Sequence, residues 1–180
     1  MLETKELLKT GKAKSLYLTD DPLKLIMEYK DDTSAFDGKK IEQIAGKGTV
    51  NNRFNSHIME HLKKNDVPNH HLEVSNPNES IVMSLDMFPI ECVVRNYAAG
   101  SICKRLGLEE GMKMDPPIFE FFYKDDDLGD PLINDGHITA FGWAKEDDID
   151  IMKDLTMKTN SILVSLFDAA DLILVDFKIE

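Results

Sequence analysis

Long apolar runs are missing from this sequence. None approaches the roughly 20 residues that span a bilayer, and the opening MLETKELLKTGKAK has no continuous apolar core of the kind a secretory signal carries. No membrane role is expected. Cysteine is scarce: Cys92 and Cys103 are the only two. They make no disulfide framework and lack metal-ligand spacing, so they read as reduced packing residues of a cytoplasmic protein. A basic excess is also absent. The formal net charge is -12 and the pI about 4.8, which excludes non-specific binding to nucleic acid, because a phosphate backbone demands a basic surface. A small anionic ligand held by a few local lysines and arginines, with a divalent cation, stays open. There is no internal repeat, low-complexity linker, Walker loop, GxGxxG motif or EF-hand spacing.

What is present is ordinary for a soluble domain: 180 residues, 42% hydrophobic and 30% charged, enough for one large domain or two small lobes. KAKSLYLT, a DDP turn and LKLIMEYK read as a hairpin. Val50, Phe54, Ile58 and Leu62 recur at a spacing of four and predict an amphipathic helix that Pro68 prevents from continuing. HHLEV, SIVMS and IECVVRNY follow as short strands. In the second half, AAGSICKRLGL reads as a small-residue turn and a short helix ended by Gly107, PPIFEFFYK as a strand, and DDDLGDPLINDGH as an acidic loop. From about Lys145 to Ala170 a helical period runs through Ile149, Met152, Leu155, Ile162, Leu163, Leu166 and Phe167, with Glu146, Asp147 and Asp148 where the helix dipole favours acids. The chain closes on LILVDFKIE, which reads as a buried strand carrying Asp176, Lys178 and Glu180 on one face.

Four stretches have the residue types for chemistry. TGKAKSLY places a glycine and two lysines at a turn, where backbone N–H groups and ammonium groups can meet phosphate; an exposed hairpin is the competing reading. VVRNYAAGSICKR puts Arg95 and Ser101 near a helix start, a pattern suited to an anion, or simply a capped helix with a surface arginine. YKDDDLGDPLIND gathers five aspartates and one lysine, either a solvated turn or a loop that holds a magnesium-bound ligand or an amine. The terminal strand offers carboxylates for magnesium and a lysine for a phosphate or acyl phosphate; a solvated edge is the alternative. His57 and His61 lie four apart but lack a zincin carboxylate and read as boundary packing, and His70, His71 and His137 have no triad partners.

Taken in order, GKAKSLY, DDTSAFDGKK, EQIAGKGTVNNRF, PIECVVRNYAAGSICKRLGLEEG, PPIFEFFYKDD, LGDPLIN and ILVDFKIE closely resemble the SAICAR synthetase family, the phosphoribosylaminoimidazole-succinocarboxamide synthases of purine biosynthesis. The match spans almost the whole chain. The resemblance implies an α+β, two-lobed fold, with an antiparallel-sheet nucleotide-binding lobe over 1–87, a mixed substrate-binding lobe over 88–180, and an ATP site between them, similar to kinases and ATP-grasp enzymes. It implies an ATP-dependent ligase joining the carboxylate of CAIR to the amine of L-aspartate, with Mg2+ and an expected acyl phosphate.

By position, Lys12 and Lys14 would contact ATP phosphates and Leu85, Asp86 and Met87 the adenine side. Arg95 and Ser101 would hold the CAIR phosphate. Asp37, as a substrate contact, and Lys124, Asp130, Asp176 and Lys178, as catalytic groups, would surround the reacting atoms, and Glu180 would be a magnesium carboxylate. Family members usually continue for some tens of residues past VDFKIE, with a second acidic magnesium ligand and another basic residue; the second lobe is expected to lack that continuation here. Homodimerisation is an implication of the resemblance that no feature of the sequence demonstrates. The alternatives are a catalytically incomplete nucleotide-binding fragment and a small-molecule kinase.

Overall fold

The computed structural model describes residues 2–35 and 40–180. Asp37 lies outside them. The chain divides into two compact units, Met1–Asp86 and Met87–Glu180.

The first unit is built on a five-stranded antiparallel sheet in the order β1-β2-β3-β7-β6, from β1 (Thr4–Thr10), β2 (Lys14–Thr19), β3 (Lys24–Tyr29), β6 (His71–Asn76) and β7 (Glu79–Met83). The DDP turn works as its residues suggest: the Asp21 side chain accepts from the Leu23 N–H at 3.0 Å, and Lys24 N–H donates to the Asp21 carbonyl at 3.0 Å. A separate hairpin pairs β4 (Asp32–Ala35) with β5 (Lys40–Gln43).

Helix α1 (Lys47–Lys64) packs on β3, β6 and β7, but of the predicted apolar stripe only the C-terminal end, Ile58 and Leu62, turns inward. Val50 and Phe54 are exposed, whereas Gly48, Asn52, Ser56 and Leu62 are buried. Polar side chains are tolerated there because they are paired. Asn52 accepts from Ser80 at 2.5 Å and donates to the carbonyls of Asn76, Pro77 and Glu79 at 3.0–3.2 Å. Ser56 bonds His71 Nε2 at 3.0 Å, so His71 is a buried partner of the helix. His57 is exposed and His61 half-buried, which moves the His57 expectation from boundary packing to surface.

The second unit centres on a four-stranded antiparallel sheet, β10-β9-β8-β11: β8 (Ile90–Tyr97), β9 (Lys113–Tyr123), β10 (Leu132–Ile133) and β11 (Asp176–Ile179). One face carries Ile90, Cys92 and Phe121, covered by Ile138 of α3 (Asp135–Ala140) and Ile149 and Met152 of α4 (Glu146–Asp168). A buried pair of reciprocal amide bonds, Asn96 to Asn160 at 2.9 and 3.0 Å, ties β8 to α4. Within DDDLGDPLINDGH the sequence reading saw only loop, yet β10 and α3 form there. Asn134 caps α3, and His137 Nδ1 accepts the Asn134 N–H in return at 3.0 Å.

The terminal strand begins later than LILV suggests. Leu172 and Ile173 are exposed, and β11 sits at the edge of the sheet beside β8. Its predicted alternation holds: Asp176 and Lys178 are exposed, while Phe177 and Ile179 are partly covered. Among the described residues no helix is long and apolar enough to cross a membrane.

Candidate active site on the second unit

Strand pairing sets the site. In an antiparallel ladder, paired residues share a face; Arg95 pairs with Asp176 and Ile118, Val93 with Lys178 and Glu120, and Glu91 with Phe122. The apolar face is spent on α3 and α4, so the opposite face is left for charge. There Glu91, Val93, Arg95, Phe122, Asp176 and Lys178, with Ser101 and Arg105 of α2 (Ser101–Leu106) and the Gly129–Leu132 turn, line an open cavity of ≈ 570 Å³.

Helix α2 is seated by Ala98, Ile102 and Met114, which form their own buried cluster. That anchoring brings Ser101 Oγ to 3.3 Å from Arg95 Nη2. Gly100, at φ 63° and ψ -125°, takes a positive-φ conformation that glycine adopts readily and that lets the chain turn from β8 into the helix. Arg95 is buried, and its Nε donates to Glu120 at 2.8 Å while Nη1 reaches Asp176 at 3.2 Å and the Ala99 carbonyl at 3.5 Å. Of the five N–H donors of a guanidinium, these contacts with that to Ser101 leave one Nη2 hydrogen unused, on a residue that lines the cavity. Glu120 also holds Arg105, so one half-buried carboxylate fixes two guanidinium groups.

A second charge network lies at the other end of the same face. Glu91, buried on β8, accepts from Lys178 and lies 3.4 Å from Lys124 Nζ. Lys124 donates to Asp126 at 2.9 Å and to Asp130 at 3.2 Å. Asp126 above all, with Asp130 and Glu91, pushes the Lys124 ammonium well above the ordinary lysine range against the opposing effect of burial. Glu180 stands 3.9 Å from Lys178 Nζ.

The structure therefore brings together Arg95, Ser101, Asp130, Asp176 and Lys178, with Lys124 and Glu180 linked to them by ion pairs. It places Lys12, Lys14, Leu85 and Asp86 on the first unit and Met87 at the start of the second. Lys12 and Lys14 are exposed at the β1–β2 turn, although the Gly11 N–H is already given to the Lys14 carbonyl at 2.8 Å. Lys30, which the sequence reading passed over, donates to the Gly11 carbonyl at 2.9 Å and adds a third lysine there. Glu91, Glu120 and Arg105 were also missed. Alternation from Arg95 back to Glu91 is the signal that exposes the first of them.

Among the described residues no group of three histidine, cysteine or acidic side chains converges as a ready-made metal cage. Glu180 is an exposed carboxylate at the sheet edge, which fits Mg2+ as it is commonly held, by one or two carboxylates together with ligand phosphates, whereas Asp176, four residues back along an extended strand, is engaged by Arg95.

The chain is similar to known proteins over nearly its whole length. The SAICAR synthetase family model matches residues 7–180. The phosphoribosylaminoimidazole-succinocarboxamide synthase of Alcanivorax borkumensis is 56% identical over 99% of this chain and 75% of its own length, and that of Acinetobacter baylyi is 55% identical over 97% and 73%. Among solved structures, the synthase from Ehrlichia chaffeensis superposes with a TM-score of 0.93 at 39% identity, covering 96% of this chain and 73% of that one. A SAICAR synthetase in complex with ADP gives 0.90 at 42% identity, again over 96% and 73%. A charged sheet face backed by an apolar one, on a backbone shared this closely over nearly every residue, has one consistent reading: the chain belongs to the SAICAR synthetase family.

Proposed function

We propose that this chain joins the carboxylate of CAIR to the amine of L-aspartate, with ATP cleaved to ADP and phosphate. The observation that carries the reading is the juxtaposition of Arg95–Ser101 with Asp176–Lys178 on one sheet face in a member of this family. A carboxylate is a poor electrophile. Transfer of the γ-phosphoryl group to a CAIR carboxylate oxygen releases ADP and makes an acyl phosphate; the aspartate amine then attacks that carbonyl, loses a proton, and expels phosphate carrying the former carboxylate oxygen. The protein supplies alignment and charge.

Arg95 and Ser101 take the CAIR phosphate, with the remaining Nη2 hydrogen and the Ser101 hydroxyl turned toward it. Lys178 neutralises charge on the reacting carboxylate and the transferred phosphoryl group, and Asp130, Asp176 and Lys124 frame it. Glu180 would hold the magnesium, which when bound would screen the phosphate charge. Lys12 and Lys14 of the first unit meet the nucleotide phosphates, and Leu85, Asp86 and Met87, where the first unit passes into the second, form the adenine side; the related ADP complex supports nucleotide binding as such. Asp37 is assigned to the substrate by family resemblance. Two free cysteines agree with a cytoplasmic location.

ADP release measured with each substrate omitted in turn tests the reading. Release that needs Mg-ATP, CAIR and aspartate together is expected; release without aspartate points to a kinase and overturns it.

A further inference from the structure

Glu91 is buried on the charged face, and no step of the proposed reaction uses it. Its oxygen Oε1 accepts from Lys178 and is 3.4 Å from Lys124. Lys124 is itself fastened to the loop after β9, through Asp126 at 2.9 Å and Asp130 at 3.2 Å, and Asp130 Oδ1 also accepts the Asp125 N–H at 3.0 Å. Charges alternate along this path, from loop carboxylates to Lys124, to Glu91, to Lys178. A lysine loses much rotamer freedom when fixed, and Lys178, with a side chain 46% exposed, has little packing to hold it. The carboxylate beneath it supplies the missing constraint. Burying Glu91 alone carries a heavy desolvation penalty, and the two ammonium groups offset it.

We propose that Glu91 is a positioning residue that holds the Lys178 ammonium over the reacting carboxylate and couples it, through Lys124, to the acidic loop. This rests on the ligase reading above. It assigns to the loop a role distinct from direct substrate contact: through Lys124 and Glu91 the loop braces the lysine.

Glu91→Gln keeps the shape and removes the charge. In the otherwise native chain it is expected to lower kcat by about 100-fold, the scale of a small misplacement of a reacting group, with KM for CAIR and ATP changed by less than about threefold. In a Lys178→Ala background the same substitution is expected to lower kcat by less than about threefold, because the group it positions is gone. Glu91→Asp, which keeps the charge one carbon shorter, is expected to restore part of the loss. An equal loss in both backgrounds, or no loss in the native one, overturns the proposal.

A second readout is independent of turnover. At fixed pH, the side-chain ammonium nitrogen resonances of Lys124 and Lys178 should differ from those of the other lysines in the unliganded native chain. In a folded Glu91 variant they should move toward the others. Native resonances indistinguishable from surface lysines contradict the contact even if the variant does not fold. If the native chain shows no CAIR- and aspartate-dependent ADP release, the ligase reading fails while the resonances still decide the Glu91 contact.

Discussion

Arg95 shows how much of this site is decided one residue at a time. Its planar fork serves Glu120, Asp176, Ser101 and a carbonyl at once, and a lysine presents no such fork. Arg95→Lys should raise KM for CAIR about 10- to 100-fold, the worth of a lost charge-assisted bond, with a smaller effect on KM for ATP; equal effects on both would contradict its assignment to the CAIR phosphate. Gly48 is a residue-scale constraint of another kind. A Cβ there would sit 2.2 Å from the Tyr29 carbonyl oxygen, so Gly48→Ala should destabilise the chain by roughly 1–3 kcal/mol as an overpacked contact, read from the urea midpoint. Arg95 and Ser101 were legible because a strand arginine before a small-residue turn is a local pattern. Glu120 was not, since its value comes from holding two arginines that approach it from β8 and α2.

At the scale of elements, what sequence reveals depends on where the packing energy comes from. Helix α4 was legible because Ile149 and Leu163 are both periodic and buried. Helix α1 was legible as a helix, and its buried face only in part. It packs through Gly48, Asn52 and Ser56 as well as Leu62, while the Val50–Phe54 end of its apolar stripe is exposed, so apolar spacing marked the buried face only toward the C-terminal end. The difference is measurable. Val50→Ser should change stability by no more than about 0.5 kcal/mol, whereas Asn52→Ala should cost roughly 1–3 kcal/mol, because Ser80 and three carbonyls lose a buried partner. The reverse order would show that α1 packs on its apolar edge. LILV misled for a related reason: an apolar run does not say whether anything covers it, and Leu172 and Ile173 are exposed. The alternation of Asp176, Phe177, Lys178 and Ile179 survived because it is a property of the strand itself.

For the molecule as a whole, buried titratable groups bound the pH range of stability. Burial pushes the Cys92 thiol up to about 11 and the Tyr29 hydroxyl up to about 12. Groups raised by folding contribute stability that is complete below their ordinary values of 9.0 and 10.0 and is lost as pH rises through the folded values. Lys124, raised by its carboxylates, acts in the same direction. His70 and His71 are lowered, chiefly by burial, so their contribution is present above the ordinary value of 6.5 and lost as pH falls below it. The urea midpoint should therefore be flat between about pH 7 and pH 9 and decline on both sides. A midpoint unchanged from pH 5 to pH 11 would contradict the burial of these groups.

Amide formation on the charged sheet face through an acyl phosphate fixes the fate of one oxygen atom. CAIR labelled with 18O in its carboxylate should transfer one labelled oxygen to phosphate for each SAICAR formed, in a reaction that requires L-aspartate. Unlabelled phosphate accompanying SAICAR, or labelled phosphate formed at the same rate without aspartate, would contradict the account.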